Sequence, residues 1–238
     1  MRTFLKITVF IFYMIGAIFK TIKLSFLKKF SSKDKYNKYL NKSVYKWAKF
    51  SVDLVGVKLH LEGEENIPNE TCLFVSNHQS NLDVPCLIAA LNRPMGFISK
   101  KELIKAPVIS TWMKAIHCVF MDRKNVRESL KSIKEGADIL KSGNNMVIFP
   151  EGTRSKSNAV GEFKKGSMKL ATKAEVRVVP ITIDGTYKAW EGNGGKGLIP
   201  ADVTIKIHKG IEVKELDREK KSTLAEDVRD IILCGIEK

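Results

Sequence analysis

From residue 57 to the C terminus, short β-branched runs alternate with longer segments of helical periodicity, and this alternation restricts the fold more than any other feature. Val57–Leu61 alternates apolar and polar residues in period two. Thr71–Val75, Gly96–Ser99, Cys118–Met121, Met146–Phe149 and Val178–Ile183 read as buried strands, and Val203–Ile207 as a late edge strand. Between them lie helical stretches at Leu82–Leu91, Pro107–Ala115, Val126–Lys141 and Gly166–Lys173, and Ser222–Gly235 forms a C-terminal helix. Parallel neighbours need a crossover, and a helix supplies it. The order therefore predicts an α/β domain over residues 56–238, a largely parallel sheet flanked by helices. Cys72, Cys86, Cys118 and Cys234 form no C-x-x-C pair and mostly sit in apolar runs, which argues against a disulfide scaffold or a zinc cluster and reads them as reduced core residues.

The first fifty residues are different. They carry +11 of the chain's net +15, with twelve basic residues against the single acid Asp34. Such an arm attracts arrays of phosphate, in nucleic acid or at an anionic membrane surface. The company it keeps favours the membrane: Ile7 to Phe19 is thirteen residues without a charge, bounded by Lys6 and Lys20. As a helix this run is about 20 Å long against a hydrocarbon core of about 30 Å, short for a span unless Lys20 and Lys23 are included. A cleaved signal peptide would need a small-x-small site, and Ile18, Phe19 and Lys20 stand where one would be. Further on, Tyr36, Leu40, Val44 and Trp47 project to one side of a helix, with Lys35, Lys38, Lys42, Lys46 and Lys49 on the other. This amphipathic face fits a helix lying in the membrane interface; the alternative is that it packs on the following domain. Residues 1–55 are thus expected to be two membrane-anchoring helices in one leaflet, with a true span as runner-up and a core that still folds when residues 1–50 are deleted.

In a parallel α/β sheet, chemistry gathers where the carboxyl ends of the strands open into loops. Three loops stand out. Asn77-His78-Gln79-Ser80-Asn81-Leu82-Asp83 follows the strand Thr71–Val75 and opens a helix. His78 is the natural general base, and Asp83 can return across the turn to hold its other ring nitrogen. The plainer alternative makes Asp83 a first-turn helix residue and Ser80 or Asn81 its N-cap. The second loop, Phe149-Pro150-Glu151-Gly152-Thr153-Arg154-Ser155, offers Gly152 for close backbone approach and Arg154 for a bidentate phosphate grip, or simply a turn with a surface ion pair. The third, Phe120-Met121-Asp122-Arg123, again ends an apolar strand with an arginine. No G-x-S-x-G elbow occurs and no cysteine lies in a comparable loop, so the substrate itself is expected to bring the nucleophile.

The order N-H-x-x-x-x-D, F-x-D-R, F-P-E-G-T-R-S and V-P-I (Val179-Pro180-Ile181) resembles the glycerolipid acyltransferase family, in particular its 1-acyl-glycerol-3-phosphate acyltransferases, over about residues 57–210. Lys100-Lys101-Glu102-Leu103 belongs with the second motif. The resemblance implies the fold of glycerol-3-phosphate acyltransferases with an N-terminal membrane-associated two-helix motif. It makes His78 the catalytic base and Asp83 its orienter. Lys100, Arg123, Glu151, Gly152, Thr153 and Arg154 would hold the acceptor's glycerol phosphate. The expected reaction moves an acyl chain from acyl-CoA or acyl-ACP, a co-substrate rather than a cofactor, to the 2-hydroxyl of lysophosphatidic acid, giving phosphatidic acid for phospholipid biosynthesis. Glycerol 3-phosphate or another lysophospholipid is the alternative acceptor, and a basic membrane or nucleic-acid-binding protein the non-enzyme alternative. No metal site is expected, and His60, His117 and His208 lack ligand spacing. Anionic lipids are the expected partners and nucleic acid is not, with the catalytic domain attached to one leaflet on its cytoplasmic side. Backbone amides in the turn before Asp83 are the candidates for stabilising the oxyanion.

Overall fold

The computed structural model describes residues 2–236, beginning with helices α1 (Arg2–Phe30) and α2 (Lys33–Val55). There follow β1 (Val57–Glu62), β2 (Cys72–Ser76), α3 (Asp83–Leu91), β3 (Gly96–Lys100), α4 (Pro107–Ala115), β4 (Val119–Met121), α5 (Val126–Lys141) and β5 (Met146–Ile148). The chain continues through α6 (Lys169–Ala174), β6 (Arg177–Asp184), β7 (Ala201–Ile207) and α7 (Arg218–Leu233). The helix expected over 166–173 is a 3-10 turn, Lys165–Met168, running into α6.

The strands stand in the order β1-β7-β6-β2-β5-β3-β4. Neighbours are parallel except β6 and β7, which are antiparallel. The alternating side chains of the central strands feed two cores. Phe74, Val147, Val179 and Ile181 meet α2 and α3 on one face, while Leu73, Val75, Met146 and Val178 meet α5, α6 and α7 on the other. β7 is not the expected edge strand, since it lies between β1 and β6. Its polar alternation has another cause: Val203, Ile205 and Ile207 are buried on one face while Asp202, Thr204 and Lys206 stand on a face that stays partly open.

Helix α1 does not stop at the end of the uncharged run. At about 1.5 Å per residue its 29 residues reach about 43 Å, and by length and composition it could cross a membrane. Of the lysines that interrupt its apolar character, Lys6 and Lys20 are half-buried against the protein, and Lys23, though exposed, reaches over an aromatic ring. Lys20 Nζ lies 3.1 Å from Tyr13 Oη and 4.3 Å above that ring, which stacks on Phe50 of α2 at 4.0 Å, and Lys23 sits 5.0 Å above Tyr39. Lys6 Nζ donates to Val55 O, at the carbonyl end of α2, at 2.8 Å and to Leu198 O at 3.3 Å. With these cations held against the protein, Phe4, Phe12, Ile15, Phe19, Ile22 and Phe26 are left exposed.

Helix α2 departs from expectation. Its apolar face does not lie open to lipid: Leu40 and Ala48 are buried, and Val44 and Trp47 pack on the same core as α3. The lysines at 35, 38, 42, 46 and 49 remain exposed opposite. The alternative of packing on the domain describes this helix. Deletion through residue 50 would therefore strip cover from the core. It removes Leu40, 5% exposed, together with Ala48 and the packed Trp47, and a leucine side chain alone contributes about 1.5–3 kcal/mol by its burial.

Candidate active site

β5, β2 and β6 are adjacent and parallel, so the segments leaving their carboxyl ends meet at one edge of the sheet. The loop after β2 carries His78. Asn77 fixes its start, because its side-chain amide pairs with both backbone groups of Ile183 on β6, Nδ2 donating and Oδ1 accepting at 2.8 Å each. His78 Nδ1 lies 2.6 Å from Asp83 Oδ2. The imidazole stacks on Phe149 with ring centroids 4.2 Å apart and 16° between planes. Nδ1–H donating to the carboxylate leaves Nε2 with a free lone pair, and Nε2 has no hydrogen-bond partner among the described residues.

Carboxylates organise the rest of the loop. The N–H of His78 donates to Glu151 Oε1 at 2.7 Å, those of Gln79 and Ser80 to Asp83 Oδ2 at 2.7 and 2.9 Å, and that of Asn81 to Glu191 Oε1 at 3.0 Å. Leu82 N donates to Ser80 Oγ and Asp83 N to Ser80 O. Every amide from 78 to 83 is thus committed within the protein. The expectation that this turn supplies the oxyanion donors is corrected by that census. The carbonyls of His78 and Gln79 accept in turn from the amides of Ser155 and Lys156, so the first and third motifs are stitched together.

The remaining expected residues are placed unevenly. Glu151 is buried, and its second oxygen accepts from Gly161 N at 3.1 Å, so both oxygens hold backbone rather than facing outward. Gly152 adopts φ +71, and a Cβ there would come 2.9 Å from Lys164 Nζ. Its carbonyl accepts from the Arg123 guanidinium, which joins the second motif to the third. Arg154 Nη1 lies 2.9 Å from Glu191 Oε1, with about a third of its side chain exposed. Thr153 is exposed at the tip of the turn, and Lys100 is exposed at the end of β3, with no hydrogen bond to the others. The Ser80 side chain caps no amide of α3, accepting only from Leu82 N ahead of the helix, and its hydroxyl donates to Glu191 Oε2 at 2.5 Å. Glu191, which joins the His78 loop to Arg154, is a residue that no motif pointed to. Of the thiols, Cys234 is exposed, while burial pushes Cys72 and Cys118 up to about 12, far from a nucleophilic thiolate.

A family model described as Acyltransferase matches residues 58–184. A probable 1-acyl-sn-glycerol-3-phosphate acyltransferase of Mycoplasma genitalium is 34% identical over 80% of this chain and 75% of its own length. A protein of the same description from Mycoplasma pneumoniae is 41% identical over 61% of this chain, and the match spans only 56% of that relative. The crystal structure of the 1-acyl-sn-glycerophosphate (LPA) acyltransferase PlsC from Thermotoga maritima superposes with a TM-score of 0.81 at 28% identity, covering 99% of this chain and 96% of that one.

Glu151 generates a pH prediction. Burial lifts its carboxyl above the ordinary value of 4.5, against the opposing pull of the His78 and Gly161 amides. The folded protein takes up this proton at a higher pH than the unfolded chain. The associated stability is fully present below 4.5 and is lost as pH rises through the raised native value. Glu151→Gln abolishes the titration, so the stability of the wild type relative to the variant should decline with rising pH across that window. Urea midpoints measured through it would contradict the assignment by showing a relative rise.

Proposed function

The chain belongs to the acyltransferase family, and from that membership we propose that it transfers an acyl group from a thioester donor, acyl-CoA or acyl-ACP, to the 2-hydroxyl of 1-acyl-glycerol 3-phosphate. The observation that carries the reading is His78, with one nitrogen fixed by a buried carboxylate and the other free at the strand ends, where Arg154 pairs with Glu191 and Arg123 holds the Gly152 carbonyl. In the proposed reaction His78 Nε2 takes the proton of the acceptor hydroxyl as its oxygen attacks the thioester carbonyl carbon. The tetrahedral intermediate collapses by breaking the C–S bond. The imidazolium returns its proton to the departing sulfur, releasing free thiol and phosphatidic acid. No covalent enzyme intermediate is needed, and Asp83 keeps the tautomer in which Nε2 accepts.

Arg154 is proposed to grip the acceptor's phosphate, with Arg123 and Lys100 adding positive charge around the turn of Gly152 and Thr153. Glu151 is proposed to act on substrate indirectly, by holding the His78 loop through its backbone amide. The exposed side of α1 is proposed to anchor the protein in one leaflet on the cytoplasmic side. Two hydrogen bonds support this over a span. Leu198 N donates to Thr3 Oγ1 at 3.2 Å and Trp112 Nε1 to Thr21 Oγ1 at 2.8 Å. Points about 27 Å apart on the helix therefore touch the same domain, and the helix lies along it.

His78→Ala should fold and lose acyl transfer by about 10²–10⁴-fold, the usual worth of a positioned base; undiminished turnover would remove the assignment. Products identified by mass from a panel of lysophospholipids and glycerol 3-phosphate test the acceptor. In the same assay Arg154→Ala should raise KM for lysophosphatidic acid by about tenfold or more while sparing KM for the thioester, and equal effects on both would count against a phosphate contact. A protease-cleavable tag ahead of residue 1 should be cut from the same face of a vesicle as the catalytic domain. Cleavage only from the opposite face would make α1 a span.

A further inference from the structure

Asp83 is fully buried, and its two oxygens are treated very differently. Oδ2 accepts three hydrogen bonds, from His78 Nδ1 and the amides of Gln79 and Ser80. Oδ1 accepts one, at 2.5 Å, from the hydroxyl of Thr186. Thr186 is itself fully buried and opens a 3-10 turn, Thr186–Ala189, immediately after β6. Its backbone placement is enforced by Gly185, which holds φ +101 where a Cβ would come 2.4 Å from Asp202 O. The amide of Gly185 donates to Gln79 Oε1 at 3.0 Å, so the turn is also fastened to the base's neighbour.

A threonine hydroxyl has a single proton, and a carboxylate can only accept. The 2.5 Å contact therefore uses that proton on Asp83, while Gln79 Oε1, 3.3 Å from the same hydroxyl, does not receive it. Without Thr186, a buried carboxylate oxygen would have no donor, and nothing on that side would fix the plane of the group that aims His78. We propose that Thr186 is a positioning residue for the reaction, acting through a chain of hydrogen bonds from its hydroxyl to Asp83 and from Asp83 to His78. The proposal rests on His78 being the base, and it extends the machinery to a residue outside the four sequence motifs, more than 100 positions away in the chain.

Two substitutions separate hydroxyl from shape. Thr186→Val keeps the volume and removes the donor; Thr186→Ser keeps the donor and removes a methyl group. The positioning role predicts that valine lowers kcat at least tenfold, with KM for both substrates within about twofold of wild type, and that serine restores kcat to within about threefold. A packing role predicts the reverse order, and that order would overturn the proposal. In a His78→Ala background, valine should cost nothing further; an undiminished loss there would show that Thr186 acts elsewhere. If valine does not fold, Thr186→Cys, of similar size and with a weak donor, should give an intermediate rate, and full activity would overturn the proposal. The ring N–H proton of His78, followed by NMR in the full chain, separates this proposal from the assignment of the base. Its resonance should move in the valine variant and not in the serine variant. Should His78→Ala turn out fully active, that resonance still decides: a shift upholds the Thr186 to His78 chain, and indifference to valine refutes it.

Discussion

A buried carboxylate must collect donors, and this requirement shapes the active-site edge of the molecule. An ionised oxygen without partners in a low-dielectric interior is among the costliest groups a fold can contain, so each of the carboxylates of Asp83, Glu151 and Glu191 draws backbone and side-chain donors around it. The donors available are the amides of residues 78 to 81, and the result is a loop with little freedom. The imidazole inherits that rigidity. Its Nδ1 is fixed by Asp83 and its face by Phe149, so the orientation of Nε2 follows from packing already complete before substrate arrives.

The sheet makes this convergence possible. Because β2 pairs in parallel with β5 on one side and β6 on the other, the loops that follow all three open at the same edge. β2 contributes His78, β5 contributes Glu151 and Arg154, and β6 leads into Thr186 and Glu191. Arg123 reaches in from β4, at the sheet's margin, to the carbonyl of Gly152. Glu191 occupies the centre of this arrangement, since it touches Ser80 and Asn81 of the base loop and Arg154 of the proposed phosphate grip. The proposed base loop and the proposed phosphate grip are thereby referred to one carboxylate.

Local features were legible in the sequence and distant ones were not. The spacing of His78 and Asp83 lies within a single turn, where five residues suffice to bring a side chain back, and the strand and helix alternation reports on periodicity alone. Glu191 and Thr186 carry no such signal. They sit in a connection whose composition, Thr-Tyr-Lys-Ala-Trp-Glu-Gly-Asn, is that of any surface turn, and only the parallel pairing of β2 with β6 brings it against the base. The amphipathic face of α2 misled for a related reason. A stripe of Leu40, Val44 and Trp47 shows that something apolar covers it, not whether lipid or α3 does so. The alternation in β7 likewise reports one open face and leaves the neighbours of the strand undetermined.

The partners of the base loop have a consequence for how the protein comes into being. The contacts that shape it join residues 73, 106 and 110 positions apart in the chain. Loops of that length close late and raise the contact order, which slows folding relative to a chain of local contacts. A growing polypeptide that has released Asn77 and His78 from the ribosome has the residues of the proposed base but lacks the distant partners of its loop until residue 191 has followed. The geometry around His78 thus arrives with the finished sheet, and a truncated or stalled chain lacks Glu191 and the contacts it makes to Ser80 and Asn81.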